Sequence, residues 1–312
     1  MTEAKNLSKV VPLENGLAGA TKLRAKGAII EHGFWLKKQG YSETTIKNRM
    51  TQLGTLVNKG ANLFDPESVK EVIAKQTWVQ GSKLQYVTVY STYLPMIGRT
   101  WDPPRYKPVE KMPLVPREKE IDQLISSASK KLATFLQVLK ETGARSGEAW
   151  QLKWLDIDLQ SNTLAITPEK NGHPRMFRIS TNLVAMLKNL PKKSERVFNG
   201  QLPNMRRKFH TLRRCLTAKL QNQRFMRITF HSFRHWKATM EYHKTKDIVH
   251  VMRLLGHKRI ENTMVYTHLI DFKSEEYSAK VAKTLEEAAE LIEAGFDYVT
   301  DIDGAKLFKK RK

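Results

Sequence analysis

Six residues between positions 145 and 266 are of types that can attack a phosphodiester bond. They comprise two arginines, two histidines, a lysine and a tyrosine: Arg145, Lys170, His231, Arg234, His257 and Tyr266. Planar arginines can grip the non-bridging oxygens of a phosphoryl group in transit, where negative charge spreads. A tyrosine hydroxyl offers a nucleophile, and histidine or lysine can carry the protons that attack and departure require. The set therefore predicts phosphodiester chemistry without a metal ion or another cofactor.

Two of the local motifs fix side chains on or beside predicted helices. Arg145 stands in ARSGE, directly after a helix predicted over residues 116–143, which Gly143 ends. Its side chain should therefore project from a fixed backbone. In HSFRH, His231 and Arg234 are three residues apart on a predicted helix, so they share one face of that helix.

The other two motifs combine a turn with the chemistry-bearing residue. In LLGHKRIENTMVYTHL, Gly256 ends a helix directly before His257, and the next short helix carries Tyr266. Lys170 lies in PEKNGHPR, which joins the strand-like runs TLAIT and MFRIS. The Asn-Gly pair after this lysine is typical of a β-hairpin turn, so we expect Lys170 at a hairpin tip.

The charge of the chain indicates a polyanionic partner. The 312 residues contain 54 Lys and Arg against 31 Asp and Glu, a formal net charge of +23. The excess is concentrated in residues 201–260, which hold 15 basic residues and only two acids, Glu241 and Asp247. Such a surface repels itself, and nucleic acid is the partner that phosphate neutralisation favours. An anionic membrane fits less well, because no isolated basic amphipathic anchor is present.

Several classes of protein are excluded by what the sequence lacks. Cys215 is the only cysteine, so one chain can form neither a disulfide framework nor a thiolate metal site. No apolar signal core opens the sequence, and no run of 18 apolar residues occurs. We therefore expect a cytoplasmic, DNA-associated protein with no membrane segment.

The distribution of proline and of apolar periodicity divides the chain into segments. Five of the twelve prolines fall in WDPPRYKPVEKMPLVP, which predicts an extended linker between two domains. Short amphipathic helices precede the linker, and one hairpin followed by further helices comes after it. The predicted segments are a flexible 1–25, a helical 26–100, the linker 101–116, a mostly helical 117–272, and a helical tail with a basic end, 273–312.

These motifs, in this order, resemble the tyrosine recombinase (phage integrase) family. The resemblance rests on ARSGE followed by LKWLDID, a hairpin lysine, HSFRH, LLGHKRI and the tyrosine that follows it. It extends over roughly residues 27–270 and is strongest from 140 to 270. The segment TKDIVHVMRLLGHKRIENTMVYTHL is similar in particular to archaeal members.

The resemblance implies a mainly α, two-domain fold that closes as a C-shaped clamp around duplex DNA. An N-terminal helical core-binding domain would be joined to a mostly helical catalytic domain with a small antiparallel sheet. It further implies a site-specific recombinase that forms a 3′-phosphotyrosyl intermediate and a Holliday junction. Four protomers would bring two DNA sites together, and the tail would dock on a neighbouring protomer. The covalent link conserves bond energy, so neither ATP nor metal is required.

The resemblance also implies a role for each site residue. Arg145 and Arg234 would clamp the scissile phosphate. His231 and His257 would hydrogen-bond the phosphate or move protons. Tyr266 would be the nucleophile that remains attached to the 3′ end.

Two further residues complete the set by resemblance. Lys170 would protonate the departing 5′ oxygen, although the nearby Lys153 and Arg175 are alternatives because hairpin length varies. Glu148 matches the acid that follows the first arginine and would brace the site rather than react.

Each residue alone has an ordinary explanation. Tyr266 could simply pack between helices, and Lys170 could be a solvated turn lysine. Taken jointly and in the order of the family, the six residues favour a catalytic set. Two other functions share the fold: a type IB topoisomerase-like activity that relaxes DNA, and a non-catalytic DNA-binding protein. The intact set argues against the second of these.

Overall fold

The computed structural model of the chain contains two compact units. They comprise residues 1–111 and 112–312, so the boundary falls within the proline-rich segment. The structure describes residues 14–109, 112–169, 172–268, 277–302 and 305–311. Lys170, the predicted general acid, lies outside the described residues.

The described part of the first unit contains four α-helices. They are α1 (Glu14–Lys38), α2 (Glu43–Asn58), α3 (Pro66–Lys75) and α4 (Gln80–Tyr93). Short polar side chains begin two of them: the Ser42 hydroxyl accepts from the N–H of Thr45, and Asp65 accepts from the N–H of Glu67. The apolar faces meet in a core where Tyr90 is fully buried and donates its hydroxyl to a backbone carbonyl, that of Leu63.

The prediction of a flexible segment over residues 1–25 is wrong for its second half. Helix α1 begins at Glu14, twelve residues before the predicted start of the helical domain. Ala25, Ala28 and Ile29 are buried in the core of the first unit. Ala25 belongs to the polar segment and continues the buried face of Ala28 and Ile29, which the composition of the segment alone did not reveal. Residues 1–13 lie outside the described residues.

The described part of the second unit combines helices with two small antiparallel sheets, one within residues 157–178 and one within residues 277–311. Its helices before residue 269 are α5 (Glu118–Ser126), α6 (Lys130–Thr142), α7 (Ser146–Trp150), α8 (Thr181–Lys188), α9 (Leu202–Leu220), α10 (Arg224–Arg227), α11 (Phe230–Thr245), α12 (Ile248–Leu255) and α13 (Glu261–Met264). A 3₁₀ turn, Val265–His268, follows α13. The expectation of a mainly α fold with a small antiparallel sheet is confirmed. None of the described helices combines the length and the apolar character that crossing a bilayer requires.

The predicted hairpin is present in the first small sheet. Strands β1 (Ile157–Asp158), β2 (Thr163–Ile166) and β3 (Arg175–Arg178) are antiparallel and neighbours in chain order. Leu164 pairs with Phe177 and Ile166 with Arg175. This register fixes the two ends of the segment that carries Lys170.

The helix predicted over residues 116–143 is two helices in the structure. Helix α5 ends at Ser126, and α6 begins after Ser129, whose backbone is extended. The intervening Ser-Ala-Ser sequence favours local turns over a continuous helix. The break lets each helix bury its own apolar face.

Aromatic rings occupy the centre of the second unit. Phe135 on α6 is fully buried, and the ring centroids of Trp150, Phe198 and Phe230 lie 5.6, 5.2 and 5.2 Å from its own. All three contacts are edge-to-face, the geometry that aromatic quadrupoles favour. The core therefore ties α6, which leads to Arg145, to α11, which carries Arg234.

The prediction of a helical tail over residues 273–312 is wrong. The tail contains β4 (Tyr277–Ala282), α14 (Leu285–Glu293), β5 (Asp297–Ile302) and β6 (Ala305–Arg311). The strands form an antiparallel sheet in the order β4-β6-β5. Only α14 was predicted.

Alternation along the basic end of the chain explains this difference. In KLFKKR, Phe308 is buried against Ala282, Ala288 and Phe296, while Leu307 before it, on the other face of the strand, is only partly buried. Because the segment is rich in lysine, its composition does not reveal the alternation of buried and exposed residues that is typical of a strand. The Asp303-Gly304 pair is a hairpin signal that composition also obscured.

Replacing Phe135 by alanine should lower the free energy of unfolding of the second unit by about 3–5 kcal/mol, the usual cost of such a cavity. Urea unfolding followed by tryptophan fluorescence measures the change. Leu155→Ala is the matched control, because Leu155 is 92% exposed and its loss should cost less than about 0.5 kcal/mol. Equal effects of the two substitutions would contradict the placement of the core.

Candidate active site

Arg145 is held by both its backbone and its side chain at the start of α7. Gly143 ends α6 in the left-handed conformation, with φ +61°, and Arg145 directly precedes α7. The Arg145 backbone N–H donates to Glu148 Oε2 at 2.9 Å, and its Nη1 donates to Oε1 of the same carboxylate at 2.8 Å. The side chain remains 30% exposed, so the guanidinium is fixed and can still meet a phosphate.

The Glu148 carboxylate is buried between two arginines. Besides Arg145, it accepts from Arg175 Nη2 at 2.6 Å, and no part of its side chain is exposed. Burial raises the pKa of a carboxyl group, but the hydrogen bonds from the Arg145 backbone and from Arg175 outweigh it here. The pKa of Glu148 is therefore lower than its usual value, and the group is charged at neutral pH.

Arg175 at the start of β3 joins three parts of the site. Its side chain is only 5% exposed, and it donates to the Leu255 carbonyl as well as to Glu148. A guanidinium committed in this way is a structural bridge, so it does not suit the role of proton donor that the sequence left open. The other alternative, Lys153, pairs with Glu195 at 3.1 Å and is not part of this network.

Arg234 is the most deeply buried positive charge of the described site. It is 1% exposed on α11, and it donates to the carbonyl of Gly143 at 2.8 Å and to that of Leu255 at 2.7 Å. Burial, together with the charges of Arg145 and Arg175, lowers the pKa of Arg234 to about 10. The guanidinium stays protonated at neutral pH, with its positive charge only partly compensated.

His257 continues this network. Its Nε2 lies 2.8 Å from Arg234 Nη2, and its Nδ1 lies 2.9 Å from the Thr263 hydroxyl. An arginine can only donate, so Nε2 accepts and the ring hydrogen resides on Nδ1, which donates to Thr263. Burial and the nearby charge of Arg234 lower the pKa of His257 to about 4, which keeps the imidazole neutral.

Gly256 is required for two reasons. It ends α12 with φ +65°, a conformation that residues with a side chain rarely adopt. A Cβ at this position would also stand 2.8 Å from the His173 carbonyl oxygen and 3.0 Å from Arg175 Cδ. The glycine therefore both turns the chain toward His257 and lets the β2–β3 hairpin approach.

Tyr266 is buried within its own chain, and its hydroxyl lies within hydrogen-bond distance of a histidine. The residue is 3% exposed and packs with Ala238, Val251 and Leu255. Its hydroxyl lies 3.2 Å from Nδ1 of His235 on α11. Burial raises the pKa of Tyr266, while the charges of Arg234 and Arg145 act in the opposite direction with a smaller effect. The phenol is therefore protonated at rest.

His231 lies one helical turn before His235 and faces solvent in part. The two imidazoles meet edge-to-face, with ring centroids 4.6 Å apart. Burial and the charges of Arg234 and Arg145 lower the pKa of His231. Its ring thus stands beside both arginines, at the open side of the site.

The hairpin that carries Lys170 is anchored on both sides of the undescribed residues. On one side, a Cβ at Gly147 would overlap the Glu169 carboxylate, so Glu169 packs against the start of α7. On the other side, the His173 N–H donates to the Gly256 carbonyl at 3.3 Å. The described flanks thus contact the elements that carry Arg145 and His257, and the placement of Lys170 itself stays a prediction.

The structure brings together six of the seven residues predicted for the site. They are Arg145, Glu148, His231, Arg234, His257 and Tyr266, with only Lys170 outside the described part of the chain. Sequence reasoning missed His235 and Thr263, and it treated Arg175 only as an alternative acid. His235 carries a readable signal, because it follows His231 by four residues on one helix face. Thr263 carries none.

Part of the predicted basic surface is used for structure, and part is exposed. Arg213 donates to the carbonyls of Met226 and Ile228, and Arg224 pairs with the buried Glu120 at 2.7 Å. Other basic residues on α9 are exposed, namely Arg206, Arg207, Lys208, Arg214 and Lys219. Burial and the charge of Lys208 lower the pKa of Lys131, as expected for crowded positive charges.

Comparison with known proteins gives the following similarities. The sequence matches the phage integrase family over residues 115–272. It is 27% identical to the tyrosine recombinase XerA of Saccharolobus solfataricus over 189 residues, which cover 59% of this chain and 62% of that protein. It is 23% identical to the ICEBs1 integrase of Bacillus subtilis over 273 residues, which cover 79% and 67%. The chain thus spans about three fifths of the first relative's length.

A solved structure has a similar fold. The crystal structure of a lambda integrase tetramer bound to a Holliday junction superposes with a TM-score of 0.59 and 14% identity. The match covers 86% of this chain and 84% of that chain. At this identity, the likeness extends to the fold.

Replacing Glu148 by glutamine should destabilise the second unit by about 3–5 kcal/mol, because Arg175 then stays buried without its charged partner. The folded-state pKa of Glu148 lies below the ordinary 4.5, so its contribution is present above about pH 4.5. The contribution is lost as the pH falls through the folded-state pKa. Urea unfolding at a series of pH values should therefore show a difference that shrinks in acid.

Glu195→Gln is the control for this prediction, because Glu195 is an exposed partner of Lys153. Its removal should change the free energy of unfolding by less than about 0.5 kcal/mol at any pH. A deficit of Glu148→Gln that stays constant from neutral to acid pH would show that the lost carboxylate is not the charged group described here.

Proposed function

Because the chain belongs to the phage integrase family, we propose that it is a site-specific DNA recombinase that cuts and rejoins duplex DNA through a tyrosine. The observation that carries this proposal is the position of Tyr266. Its hydroxyl lies 3.2 Å from a histidine nitrogen, within the electrostatic reach of the buried Arg234 and the partly exposed Arg145. A packing tyrosine has no need of either neighbour.

The arginines would stabilise the charge that develops on the phosphate. Arg145 is partly exposed, and Arg234 donates to three acceptors within the described residues. A guanidinium has five N–H groups, so two remain for a phosphate oxygen. Donors that are fixed before the reaction need no reorganisation as negative charge builds up.

The covalent step exchanges one phosphate ester for another. Tyr266 Oη attacks the phosphorus, a bond between them forms, and the bond from phosphorus to the 5′ oxygen breaks. The DNA keeps a 3′-phosphotyrosyl link, and the 5′ oxygen leaves as a hydroxyl after it gains a proton, which we assign to Lys170. Attack by a 5′ hydroxyl from another strand reverses the step and completes the exchange. The bond energy is retained, so no ATP is consumed.

Polar side chains on the first unit support binding to DNA. The surface cleft between α2 and α4 is lined by Asn48, Arg49, Gln52 and Gln85. Asparagine and glutamine amides can read adenine in the major groove, and arginine can read guanine or contact phosphate. The exposed arginines and lysines of α9 would give the second unit its own contacts with the duplex, and the clamp itself stays an implication of the family resemblance.

Four protomers would carry out the full exchange by way of a Holliday junction. The lambda integrase structure, whose fold this chain shares, is itself a tetramer on such a junction. Two duplexes have four strands to cut, and each protomer offers one Tyr266. The folded tail of strands and α14 would contribute to this assembly.

Tyr266→Phe should abolish the covalent protein–DNA adduct and leave DNA binding unchanged, because only one hydroxyl is lost. Nicked duplexes built from repeats in the DNA that flanks the gene would trap the adduct, which a denaturing gel resolves. Tyr242→Phe is the matched control, since Tyr242 packs against the same apolar cluster. An adduct that persists in Tyr266→Phe, or that maps to another tyrosine, contradicts the proposal.

Two further measurements separate the alternatives. Holliday junctions formed from two duplexes indicate a recombinase, whereas relaxation of supercoils without them indicates a topoisomerase-like enzyme. A protein that binds DNA and never forms an adduct is a non-catalytic binder. Cleavage should persist in EDTA, because arginines supply the charge. Strict dependence on Mg²⁺ would favour a nuclease.

Lys170→Ala should slow cleavage by about 10²–10⁴-fold, the usual value of general-acid catalysis. A substrate with sulfur at the 5′ bridging position has a leaving group that needs no proton. The variant should therefore cleave this substrate about as fast as the wild type. Single-turnover rates of adduct formation on both substrates measure the rescue.

Two variants serve as controls for the assignment of the acid. Arg145→Ala should stay slow on the sulfur substrate, because Arg145 acts on the non-bridging oxygens. Lys153→Ala should be fast on both substrates, since Lys153 pairs with Glu195. If sulfur rescues Lys153→Ala from a slow rate, or fails to rescue Lys170→Ala, the acid is not Lys170.

A further inference from the structure

His235 occupies the position from which a side chain can take the proton of the nucleophile. It lies on α11 between the buried Arg234 and Trp236, one turn after His231. Its Nδ1 is 3.2 Å from Tyr266 Oη, and this is the hydrogen bond that the hydroxyl makes among the described residues. Since the tyrosine is 3% exposed, solvent has little access to that proton.

We propose that His235 is the general base of the reaction: its Nδ1 receives the phenolic proton of Tyr266 as the tyrosine attacks the phosphorus. The inference rests on the proposed function and adds to it a catalytic residue outside the set that the sequence predicted. The two protons of the reaction then have separate carriers. His235 takes the proton of the attacking tyrosine, and Lys170 supplies the proton of the departing 5′ oxygen.

The other histidines of the site are committed elsewhere. His257 accepts from Arg234 at Nε2 and donates to Thr263 at Nδ1, so neither nitrogen is available to the phenol. His231 contacts the ring of His235 edge-to-face rather than Tyr266 itself. His231 is also partly exposed, which suits contact with the phosphate. Among the described imidazoles, that of His235 is the one at the reacting oxygen.

The proton balance is as follows. Before attack, the Tyr266 O–H donates to Nδ1 of a neutral His235, whose ring hydrogen is on Nε2. During attack, the bond from Oη to phosphorus forms and the proton moves to Nδ1, which leaves an imidazolium. The bond from phosphorus to the 5′ oxygen breaks, and the acid supplies that oxygen with its own proton. In the reverse step, the imidazolium returns its proton to Tyr266 as the phosphotyrosyl link breaks.

The electrostatics of the site would make this base respond to the substrate. Burial, followed by the charges of His231 and Arg234, lowers the pKa of His235 to about 4. In the absence of DNA, the imidazole is therefore a neutral acceptor and a weak base. A phosphodiester bound by Arg145 and Arg234 brings a negative charge that offsets theirs, which raises the pKa of His235. The base becomes stronger when the target phosphate is in place.

The test compares two substitutions that differ in one property. In His235→Asn, Oδ1 takes the place of Nδ1 and can accept a hydrogen bond from Tyr266, but it cannot take up a proton. In His235→Ala, both properties are lost. We expect single-turnover adduct formation to fall by about 10²–10⁴-fold in both variants, with DNA binding and melting temperature close to wild type. Added imidazole should restore part of the rate of His235→Ala, because it fills the space and can accept the proton.

The sulfur-bridged substrate separates the base from the acid. The defect of His235→Asn should persist on this substrate, since a better leaving group does not remove the proton of the phenol. His250→Asn is the control: His250 is an exposed histidine of α12 that pairs with Glu241, and its loss should leave the rate unchanged.

Two outcomes overturn the proposal. If His235→Asn reacts at the wild-type rate while His235→Ala is slow, His235 only positions the hydroxyl. If both react at the wild-type rate, His235 has no part in the reaction. These results remain distinct from a failure of the proposed function, which is shown by a wild-type protein that forms no adduct or by Tyr266→Phe that still forms one.

Discussion

Three arginines share one largely desolvated pocket with a single carboxylate, and the repulsion among them has to be opposed at every side of the site. Burial lowers the pKa of Arg234, and the charges of Arg145 and Arg175 lower it further, as repulsion among like charges requires. Glu148 offsets part of it through two short ion pairs. The rest of the positive potential remains, so an anion that enters the pocket is attracted before it makes any specific contact.

Backbone carbonyl groups at two helix ends accept the other hydrogen bonds that hold Arg175 and Arg234 in place. Helices α6 and α12 both end at a left-handed glycine, Gly143 and Gly256. The Gly143 carbonyl accepts from Arg234, and the Leu255 carbonyl accepts from both Arg234 and Arg175. A carbonyl neither titrates nor rotates independently of the chain, so these acceptors hold the guanidinium planes at any pH at which the fold persists. At the same two glycines, the helices end and the chain turns toward Arg145 and His257.

The sequence predicted the local parts of this arrangement and missed those that depend on distant partners. Glycine at a helix end, an Asn-Gly turn and a three-residue spacing on one helix are local signals, and they located Arg145, the hairpin and the pair His231 and Arg234. Arg175 could not be assigned, because its acceptor at Leu255 is 80 residues away along the chain. A buried bridging arginine and an exposed one look alike in a sequence.

The tail shows a second limit of the same kind. The sequence predicted a helical tail with a basic end, whereas Phe308 of β6 lies in a small core with Ala282, Ala288 and Phe296. Similarly, helix α1 extends into the polar segment 1–25, where Ala25 is buried in line with Ala28 and Ile29 of the predicted helical domain. In both places, a few apolar residues decide the structure, and averages over the segment conceal them.

The burial of Tyr266 in a cluster of its own chain has a consequence for mixed populations of this protein. One chain supplies the tyrosine, its histidine and the arginines around them. The Tyr266 hydroxyl contacts His235, and its ring packs against Val251 and Leu255 of the same molecule. When altered and unaltered copies meet on one DNA, an altered copy cannot borrow a neighbour's tyrosine while that residue stays in this cluster. In the proposed tetramer, a harmful substitution in the site would therefore remove one of the four cleavages, and an intact neighbour would not replace it.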